Sequence, residues 1–412
     1  MNQKIKTRIE QIGRGEVPEG YKKTKLGLFP KEWLETLLGE YIEEYCEKTT
    51  MKNQYPVLTS ARKGMMLQSE YYANNQVTTE DNIGYNVIPR GYITYRSRSD
   101  DGRFRFNENY ILDKGIISYF YPVFSFRENC NKEFMLNLLN FTIYRQVYSY
   151  VEGTAQQVLS FKKLQSLRYS LPPIEEQEKI AEILGAQDML IALKEKRIAE
   201  KKQQKKYLMQ QLLTGKKRLP GFTGEWEKIK LGSVFSERVE TNCQQMRLLS
   251  VTGNQGVIPR SEIDTKDNSS EDKSKYLKIC QGDIGYNTMR MWQGVSALSD
   301  YEGIVSPAYT ILIPSEDICA KYFSYLFKMH EVIFLFYRFS QGIVDDTRSL
   351  KYPEFAKLYL RVPLDKKEQQ AIANILSQAD KEIEFLQKDL EEEKCKEKAL
   401  MQLLLTGIVR VV

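Results

Sequence analysis

Five arginines lie close together between residues 90 and 105, interleaved with aromatic residues. A guanidinium binds phosphate oxygens and guanine edges through paired hydrogen bonds, and flanking rings restrict its motion. This composition predicts contact with nucleic acid, although a solvated hairpin would show it as well. The candidates for such contact in this segment are Arg90, Tyr95, Arg96, Arg98, Arg103 and Arg105.

The second half of the chain carries a different polar set, in a glycine-rich turn and in the segment that corresponds to the arginine cluster. Amide, hydroxyl and guanidinium groups hydrogen-bond base edges or phosphates, so we expect nucleic-acid contact here too. In the first half, Gln156 precedes a predicted helix and could either contact nucleic acid or cap that helix. The candidates in the second half are Thr252, Asn254, Gln255, Arg260, Asn287, Arg290 and Trp292.

Residues that would support catalysis are scarce in this sequence. The only histidine is His330, which excludes a mechanism that needs two imidazoles, and the six cysteines form no CxxC pair. Asp264 followed by Glu271 and Lys273 loosely matches a magnesium-dependent nuclease, but a linker rich in acids and lysine produces this pattern by chance. We therefore predict no catalytic residue and no metal site in this chain.

Length and composition favour a protein of several domains. A chain of 412 residues with 42% hydrophobic residues can build two or three cores. The longest apolar run, residues 332–337, is far shorter than the ~20 residues of a membrane-spanning helix. The charged N-terminus lacks the apolar core of a signal peptide, so we expect a cytoplasmic protein.

The sequence contains two copies of one unit. The segment IAEILGAQDMLIALKEKRIAEKKQQKKYLMQQLLTG from Ile180 recurs 192 residues later, from Ile372, as IANILSQADKEIEFLQKDLEEEKCKEKALMQLLLTG. Trp33 corresponds to Trp226, and looser matches lie between these anchors in the same order. A period this long excludes a solenoid and indicates two homologous halves. We expect both tryptophans to pack in the core or at a hinge and not to stack on bases.

Each half consists of a variable part followed by a well-matched part. Short β-like runs bounded by glycine, asparagine and proline, and then a helical stretch, predict a mixed domain in each variable part. The well-matched parts predict long helices. The predicted fold class is therefore α+β, with an arm at residues 1–29, globular domains at 30–171 and 219–362, and helices at 172–218 and 363–412.

The two predicted helices carry compatible heptad seams, which are typical of a coiled coil. The first helix is basic over residues 194–206 and the second is more acidic over 386–398, which favours pairing of the two with each other. A globular domain separates the copies, so we expect an antiparallel coiled coil and a pseudo-twofold relation of the halves. The predicted helix-helix interface residues are Leu184, Ile191, Ile198, Leu208, Leu212, Leu376, Ile383, Leu386, Leu390, Leu400 and Leu404.

The length of these helices has a functional consequence. Residues 177–214, at about 1.5 Å each, form a rod of ~57 Å, which corresponds to roughly 17 base pairs of DNA. Two domains at the ends of such a rod cannot read adjoining sequence. The architecture therefore predicts a target in two parts, separated by a gap that the protein does not read.

Several segments resemble the specificity subunit of type I restriction-modification enzymes. They are EGTAQQVLSFKKL before the first helix, LPPIEEQEKIAEIL at its start, the endings QLLTG and LLLTG, and KKRLPGFTGEW between the halves. The resemblance extends from about Pro30 to the end of the chain. It implies two target recognition domains, each reading one half of a bipartite target on double-stranded DNA, and helices that set the gap and dock modification subunits.

The resemblance also places the cofactors on other subunits. It implies two modification subunits, which carry S-adenosylmethionine and methylate adenine, and restriction subunits, which are motor nucleases that use ATP and Mg. The chain itself would be a non-catalytic targeting subunit, consistent with its lack of an NPPY or DPPY tetrapeptide. Two alternatives stay open: a specificity subunit of a related system that cuts on both sides of its site, and a fused restriction-methylation enzyme.

Overall fold

The computed structural model describes residues 3–72, 81–147, 157–253, 255–263, 269–342, 344 and 347–411. The chain divides into two compact units. The first unit comprises Met1–Leu193 and Leu390–Val412, and the second comprises Lys194–Asp389. Each unit therefore contains one globular domain together with a part of both long helices.

In the part of the chain that is described, the strands of the first unit are β1 (Tyr21–Thr24), β2 (Gly27–Pro30), β3 (Leu34–Leu37), β4 (Ile42–Tyr45), β5 (Leu58–Ala61), β6 (Gly64–Leu67), β7 (Asn86–Pro89), β8 (Ile93–Tyr95), β9 (Arg98–Ser99), β10 (Phe106–Glu108), β11 (Lys114–Ile117), β12 (Val123–Phe126), β13 (Gln157–Val158) and β14 (Arg168–Leu171). Its helices are α1 (Gln3–Gly13), α2 (Gln68–Tyr71), α3 (Lys132–Val147), α4 (Phe161–Gln165) and the beginning of α5 (Ile174–Leu212).

A four-stranded antiparallel sheet of order β10-β8-β12-β4 forms the centre of the first domain. The hairpin β5-β6 and the pairs β7-β11, β9-β13 and β3-β14 surround it. Tyr95 of β8 and Phe124 of β12 pack in one core with Leu138 of α3 and Leu184 of α5. The long helix therefore begins as part of the hydrophobic core of this domain.

In the described part of the second unit, the strands are β15 (Trp226–Lys230), β16 (Phe235–Arg238), β17 (Leu249–Val251), β18 (Val257–Pro259), β19 (Leu277–Ile279), β20 (Ile284–Asn287), β21 (Ser296–Leu298), β22 (Gly303–Val305), β23 (Tyr309–Pro314) and β24 (Tyr359–Pro363). Its helices are α6 (Leu231–Val234), α7 (Ala320–Leu326), α8 (His330–Phe339), α9 (Tyr352–Phe355) and the beginning of α10 (Lys366–Leu405).

The second domain repeats the topology of the first. Its four-stranded sheet has the order β21-β20-β23-β16, which is the order of the first sheet strand for strand. The pairs β5-β6, β7-β11 and β3-β14 recur as β17-β18, β19-β22 and β15-β24. Tyr95 and Tyr286 occupy corresponding strands, and both are fully buried. The predicted α+β class with two homologous domains is confirmed.

The helical stretch that ends each domain differs between the two copies. The first domain has a single helix, α3, whereas the second has α7 and α8 with a break at residues 327–329. Phe327 and Met329 are buried on either side of Lys328. At this break, Lys328 points away from the core in which Phe327 and Met329 are buried.

Helices α5 and α10 pair within each unit and run in opposite directions. In the first unit, the amide of Gln187 donates to the carboxylate of Glu393 at 2.8 Å. In the second unit, lysines of α5 meet acids of α10 in the pairs Lys194–Asp389, Lys201–Glu382 and Lys205–Asp380. Residue numbers rise along one helix as they fall along the other, so the predicted antiparallel coiled coil is confirmed. The polar residues that interrupt the seam thus pair across it and specify the register.

The predicted seam residues differ in their burial. Ile191, Leu208 and Leu400 are half-buried. The buried ones are Leu184, Ile198, Leu212, Leu376, Ile383, Leu386, Leu390 and Leu404. Apolar contact of this kind contributes most of the stability of a long helix, because helix propensity alone leaves it marginal.

The predicted N-terminal arm is folded and contacts the other end of the chain. Helix α1 and the hairpin β1-β2 account for most of it. The Tyr21 hydroxyl donates to the carbonyl of Gly407 at 2.7 Å, and the Arg8 guanidinium donates to the carbonyl of Ile408 at 3.2 Å. These bonds attach the N-terminal arm to the segment that follows α10.

The start of each long helix is held by a buried carboxylate. In the first unit, Nε1 of Trp33 donates to Glu176 at 3.2 Å, and Nε of Arg410 donates to the same carboxylate at 2.6 Å. In the second unit, Trp226 and Arg218 bind Glu368 in the same way. Trp33 and Trp226 are 0% and 8% exposed, so their predicted packing in the core is confirmed.

Candidate nucleic-acid interface

A cleft of about 870 Å³ opens on the first domain beside the β5-β6 hairpin. Among the described residues that line it, the cationic ones are Arg62, Lys63, Arg96, Arg98, Arg103 and Arg105. The acidic ones in the same set are Glu70, Asp100 and Asp101. The excess of positive charge makes this basic cleft a candidate site for a polyanion.

Strand geometry places the arginines of the basic cleft. Strand β9 pairs with β13, and its two residues alternate, so that Arg98 is exposed while Ser99 is buried. The Arg98 guanidinium lies 4.2 Å from the centroid of the Phe120 ring, a cation–π contact that orients it. The aromatic neighbour of Arg98 is therefore a residue outside the arginine-rich segment.

Asp101 organises the turn that follows β9. Its carboxylate accepts from the hydroxyl of Ser99 at 3.0 Å and from the backbone N–H of Arg103 at 3.2 Å, and it also pairs with Arg62. The N–H of Arg103, together with the bonds from Arg62 and Ser99, lowers the pKa of this carboxyl. Asp101 thus stays ionised and fixes one wall of the cleft.

Sequence reasoning missed the contribution of the β5-β6 hairpin. Arg62 and Lys63 occupy its turn, just before Gly64, whose φ of +124° suits a residue without a side chain. Tyr71 and Tyr72 line the cleft nearby and are 49% and 38% exposed. The signal that could have revealed this wall is a basic pair in a tight turn between two β-like runs.

Two predicted contacts of the first domain lie elsewhere. The prediction for Tyr95 is wrong, because its side chain is fully buried and its hydroxyl donates to the carbonyl of Leu159 at 3.0 Å. Arg90 lies outside the basic cleft and binds Asp113 at 2.9 Å and the carbonyl of Tyr110 at 2.6 Å. Arg90 therefore bonds to the neighbouring 110–113 segment of its own domain and does not line the basic cleft. Gln156 lies outside the described residues.

One end of the basic cleft meets the helix pair. Arg105 is attracted by Asp188 of α5 and Glu397 of α10, while desolvation lowers the pKa of its guanidinium. Burial and a hydrogen bond with Asp188 raise the pKa of Glu397 to about 7. Glu397 therefore titrates near neutral pH beside an arginine of the cleft, because burial and a neighbouring carboxylate both disfavour its charged form.

In the second domain, several predicted contacts shape their own turns. The Thr252 hydroxyl donates to the carbonyl of Gly256 and accepts from the N–H of Gln255, each at 2.9 Å. The Asn287 side chain accepts from the N–H of Met289, whose carbonyl accepts from Trp292 Nε1 at 2.9 Å. These bonds define two turns, the 252–256 turn and the 287–295 turn.

The other candidates of the second domain differ in exposure. Gln255 and Arg290 are exposed, and Arg260 is half-buried. Asn254 lies outside the described residues, as does Asp264 of the nuclease-like pattern.

An aromatic surface on α8, also missed by sequence reasoning, lies beside the 287–295 turn. Trp292 meets the ring of Tyr337 edge to face, at 6.0 Å between centroids. Phe334 stacks on Tyr337 at 6.5 Å and is 56% exposed, and the Arg348 guanidinium lies 4.1 Å from the centroid of the Tyr337 ring. These side chains form an aromatic surface next to an arginine at the edge of the 287–295 turn.

The described residues contain no cluster of three or more histidine, cysteine, aspartate or glutamate residues that could hold a metal ion. Within that part of the chain, no helix is both long and apolar enough to cross a membrane.

Two repeated α+β domains, each followed by a long helix, define a protein built as a tandem repeat. A family model described as the type I restriction modification DNA specificity domain matches residues 32–203 and 223–393. The chain therefore belongs to the family of type I restriction-modification specificity subunits, as the resemblance of its sequence predicted.

Two relatives come from Methanocaldococcus jannaschii. The putative type I restriction enzyme MjaX specificity subunit is 24% identical, over 95% of this chain and 97% of that protein. The type I restriction enzyme MjaVIII specificity subunit is 27% identical, over 64% of this chain and 67% of that protein.

Two solved structures share the fold. The S subunit of a type I restriction-modification system from M. genitalium superposes with a TM-score of 0.54 at 13% identity, covering 90% of this chain and 96% of that chain. A chain from a structural study of complex assembly and conformational transition of the type I R-M system gives a TM-score of 0.56 at 16% identity, covering 92% and 99%.

Proposed function

We propose that this chain reads a bipartite target on double-stranded DNA, with each domain reading one half. The observation that carries the proposal is the basic cleft, where Arg96, Arg98, Arg103 and Arg105 come together with Arg62 on one side of the first domain. Neutralising phosphates with such side chains releases bound counterions, which gives affinity, while arginines that reach base edges give specificity.

The second domain would read its half-site with different chemistry. Its two turns present the exposed side chains of Gln255 and Arg290. Its aromatic surface presents Phe334, which stacks on Tyr337, and the Arg348 guanidinium lies over the same Tyr337 ring. Apolar side chains contact the methyl group of thymine, and polar ones hydrogen-bond the base edges. Two domains of one topology with different surfaces support two half-sites of different sequence.

In this proposal the paired helices set the unread gap. Helix α5 has 39 residues, and a rise of 1.5 Å per residue gives it a length of about 58 Å. The lysine–carboxylate pairs across the seam fix the register of the two helices. The width of the unread gap would therefore depend on this register as well as on the length of each helix.

The outer faces of the helices would dock modification subunits. Met189 and Leu193 of α5, one turn apart, are 68% and 62% exposed. Tyr207 of α5 and Phe385 of α10 are 58% and 70% exposed. Large apolar side chains on the outside of a helix pair are typical of surfaces that bind another protein.

This chain would carry out no chemical step of its own. S-adenosylmethionine would bind the modification subunits, and ATP with Mg would bind the restriction subunits. The sequence supports this division, because it carries no NPPY or DPPY tetrapeptide and no phosphate loop. A cytoplasmic location, where the DNA and those subunits would be found, belongs to the same proposal.

Methyl transfer with purified components tests the proposal. The chain alone, incubated with DNA and labelled S-adenosylmethionine, should transfer no label. Together with its modification subunit it should methylate adenine at one bipartite sequence. Transfer by the chain alone, or methylation at a continuous target, would contradict the proposal.

A further inference from the structure

Lys328 leaves the core of the second domain from a fixed backbone. It lies in the break between α7 and α8, and its neighbours Phe327 and Met329 are 0% and 6% exposed. The N–H of Lys328 donates to the carbonyl of Tyr325 at 3.0 Å. Because the backbone is anchored on both sides, the half-buried side chain has a defined direction.

The ammonium of Lys328 binds two different turns. Its Nζ donates to the carbonyl of Gly294 at 2.7 Å and to the carbonyl of Gly253 at 3.2 Å. Gly253 belongs to the 252–256 turn and Gly294 to the 287–295 turn. A cation between two carbonyl oxygens forms charge-assisted hydrogen bonds, which are stronger than neutral ones. One side chain thus joins both turns that carry candidate contacts with DNA.

The 287–295 turn is itself packed against α8. Gly294 has a φ of +79°, and a Cβ on it would lie 2.7 Å from Ile333 of α8. The 287–295 turn therefore packs so closely against α8 that residue 294 has no room for a side chain. Lys328 then sets where the 252–256 turn lies relative to it.

The charged groups that face Lys328 come from the helix pair. Desolvation, with repulsion from Lys205 of α5, lowers the pKa of Lys328 to about 8. Lys205 is itself paired with Asp380 of α10 and lies over the ring of Tyr325 at 5.3 Å. Burying the ammonium of Lys328 costs free energy, and the hydrogen bonds to the two carbonyl oxygens offset that cost.

We propose that Lys328 is a positioning residue for the second half-site, holding the 252–256 and 287–295 turns at the separation at which their side chains meet neighbouring bases. The inference rests on the proposed function of this domain. It adds a residue that contacts no base and acts through the two turns. The first domain has one continuous helix where this break occurs, so the device belongs to the second half-site alone.

Substitutions at Lys328 test this role in the full chain with its modification subunit. Methylome sequencing first defines the two half-sites, and competition between cognate and mismatched duplexes then measures discrimination at each. Lys328→Met should reduce discrimination at one half-site by about tenfold, the scale of one mismatched base pair, and leave the other unchanged. Lys328→Arg keeps the positive charge and can donate to both carbonyls, so it should restore part of the lost discrimination. Lys321→Met on α7 is the matched control.

The pH profile separates positioning from simple packing. Because the pKa of Lys328 lies at about 8, discrimination at this half-site should weaken between about pH 7 and pH 9 in the wild type. The Lys328→Arg variant should not show this weakening, since a guanidinium stays charged. A structural lysine alone would affect the unfolding temperature and not this profile.

Unchanged discrimination in a folded Lys328→Met variant, or equal relaxation at both half-sites, would overturn the positioning role. If Lys328→Met does not fold, the pH profile of the wild type decides, and a flat profile overturns the role. A wild-type complex without any bipartite target would overturn the proposed function itself, which keeps the two failures distinct.

Discussion

Nε of Arg410 donates to Oε1 of Glu176 at 2.6 Å, which ties the end of the chain to the start of α5. The Glu176 side chain is 0% exposed, and that of Arg410 is 17% exposed. Nε1 of Trp33 donates to the second oxygen of the same carboxylate. The end of the chain therefore neutralises a buried charge that would otherwise lie uncompensated in the first unit.

Replacing Arg410 with methionine should destabilise the first unit. Removal of one partner leaves a buried, unpaired carboxylate, which typically costs about 3 kcal/mol. The double variant Arg410→Met with Glu176→Gln should recover much of the loss. Urea unfolding of the two variants and the wild type measures both effects. An equal loss in the single and double variants would show that the ion pair is not the cause.

Replacing Arg96 and Arg98 together with alanine should weaken DNA binding and flatten its dependence on salt. Both line the basic cleft, and each lost phosphate contact lowers the slope of log K against log[salt] by about one. A titration of salt concentration with target DNA measures the slope. Arg90→Ala is the matched control, because Arg90 lies outside the cleft and binds Asp113. An unchanged slope in the double variant would remove these two arginines from the interface.

Lengthening α5 should widen the unread gap. Duplicating residues 196–199 adds ~6 Å and rotates everything beyond by ~40°. The insertion also shifts the heptad frame, so part of the extension is absorbed in the seam. We expect the gap to grow by about one or two base pairs at 3.4 Å each, with both half-sites unchanged, as read by methylome sequencing. Alanine at Lys196 and Arg197, both exposed, changes no length and serves as control. An active variant with the original gap would show that the helices do not set it.

The stability of the first unit should fall as the pH rises from about 4.5 to about 7. Burial and the hydrogen bond with Asp188 raise the pKa of Glu397 from 4.5 to about 7, so folding favours its protonated form. That contribution is fully present below pH 4.5 and is lost as the pH rises through 7. Thermal unfolding between pH 5 and pH 8 should show a decline in the wild type that Glu397→Gln reduces. Glu392→Gln, an exposed position on the same helix, is the control, and parallel curves for all three proteins would contradict the assignment.

The features that the sequence predicted correctly are those with a local or periodic cause. The copy that begins at Ile180 recurs at Ile372, and two segments with so similar a pattern fold alike. The apolar seam, with one basic and one more acidic helix, predicted that the two helices pair, because spacing along a helix fixes which residues share a face. The globular domain between the copies predicted that they run antiparallel. Trp33 and Trp226 were predicted to be structural because they occupy matched positions near the start of each domain.

The composition of the basic cleft depended on contacts that spacing does not reveal. Tyr95 and Arg96 are adjacent in sequence, yet Tyr95 lies in the core of a central strand and Arg96 lines the cleft. Arg62 reaches the cleft because its hairpin folds back beside β10, and Asp101 then binds it. Sequence alone does not state which loop will face which other loop.

The sequence by itself determined that each half carries a glutamate at the start of its helix and an arginine beyond the end, since both recur at the same interval. Only the tertiary structure decided which arginine meets which glutamate. Arg410 follows α10 and binds Glu176 of α5, whereas Arg218 follows α5 and binds Glu368 of α10. Each arginine binds the glutamate of the other copy because antiparallel helices bring the end of one to the start of the other. Composition and period are properties of the sequence, but this exchange of partners arises only when the two helices pair in opposite directions.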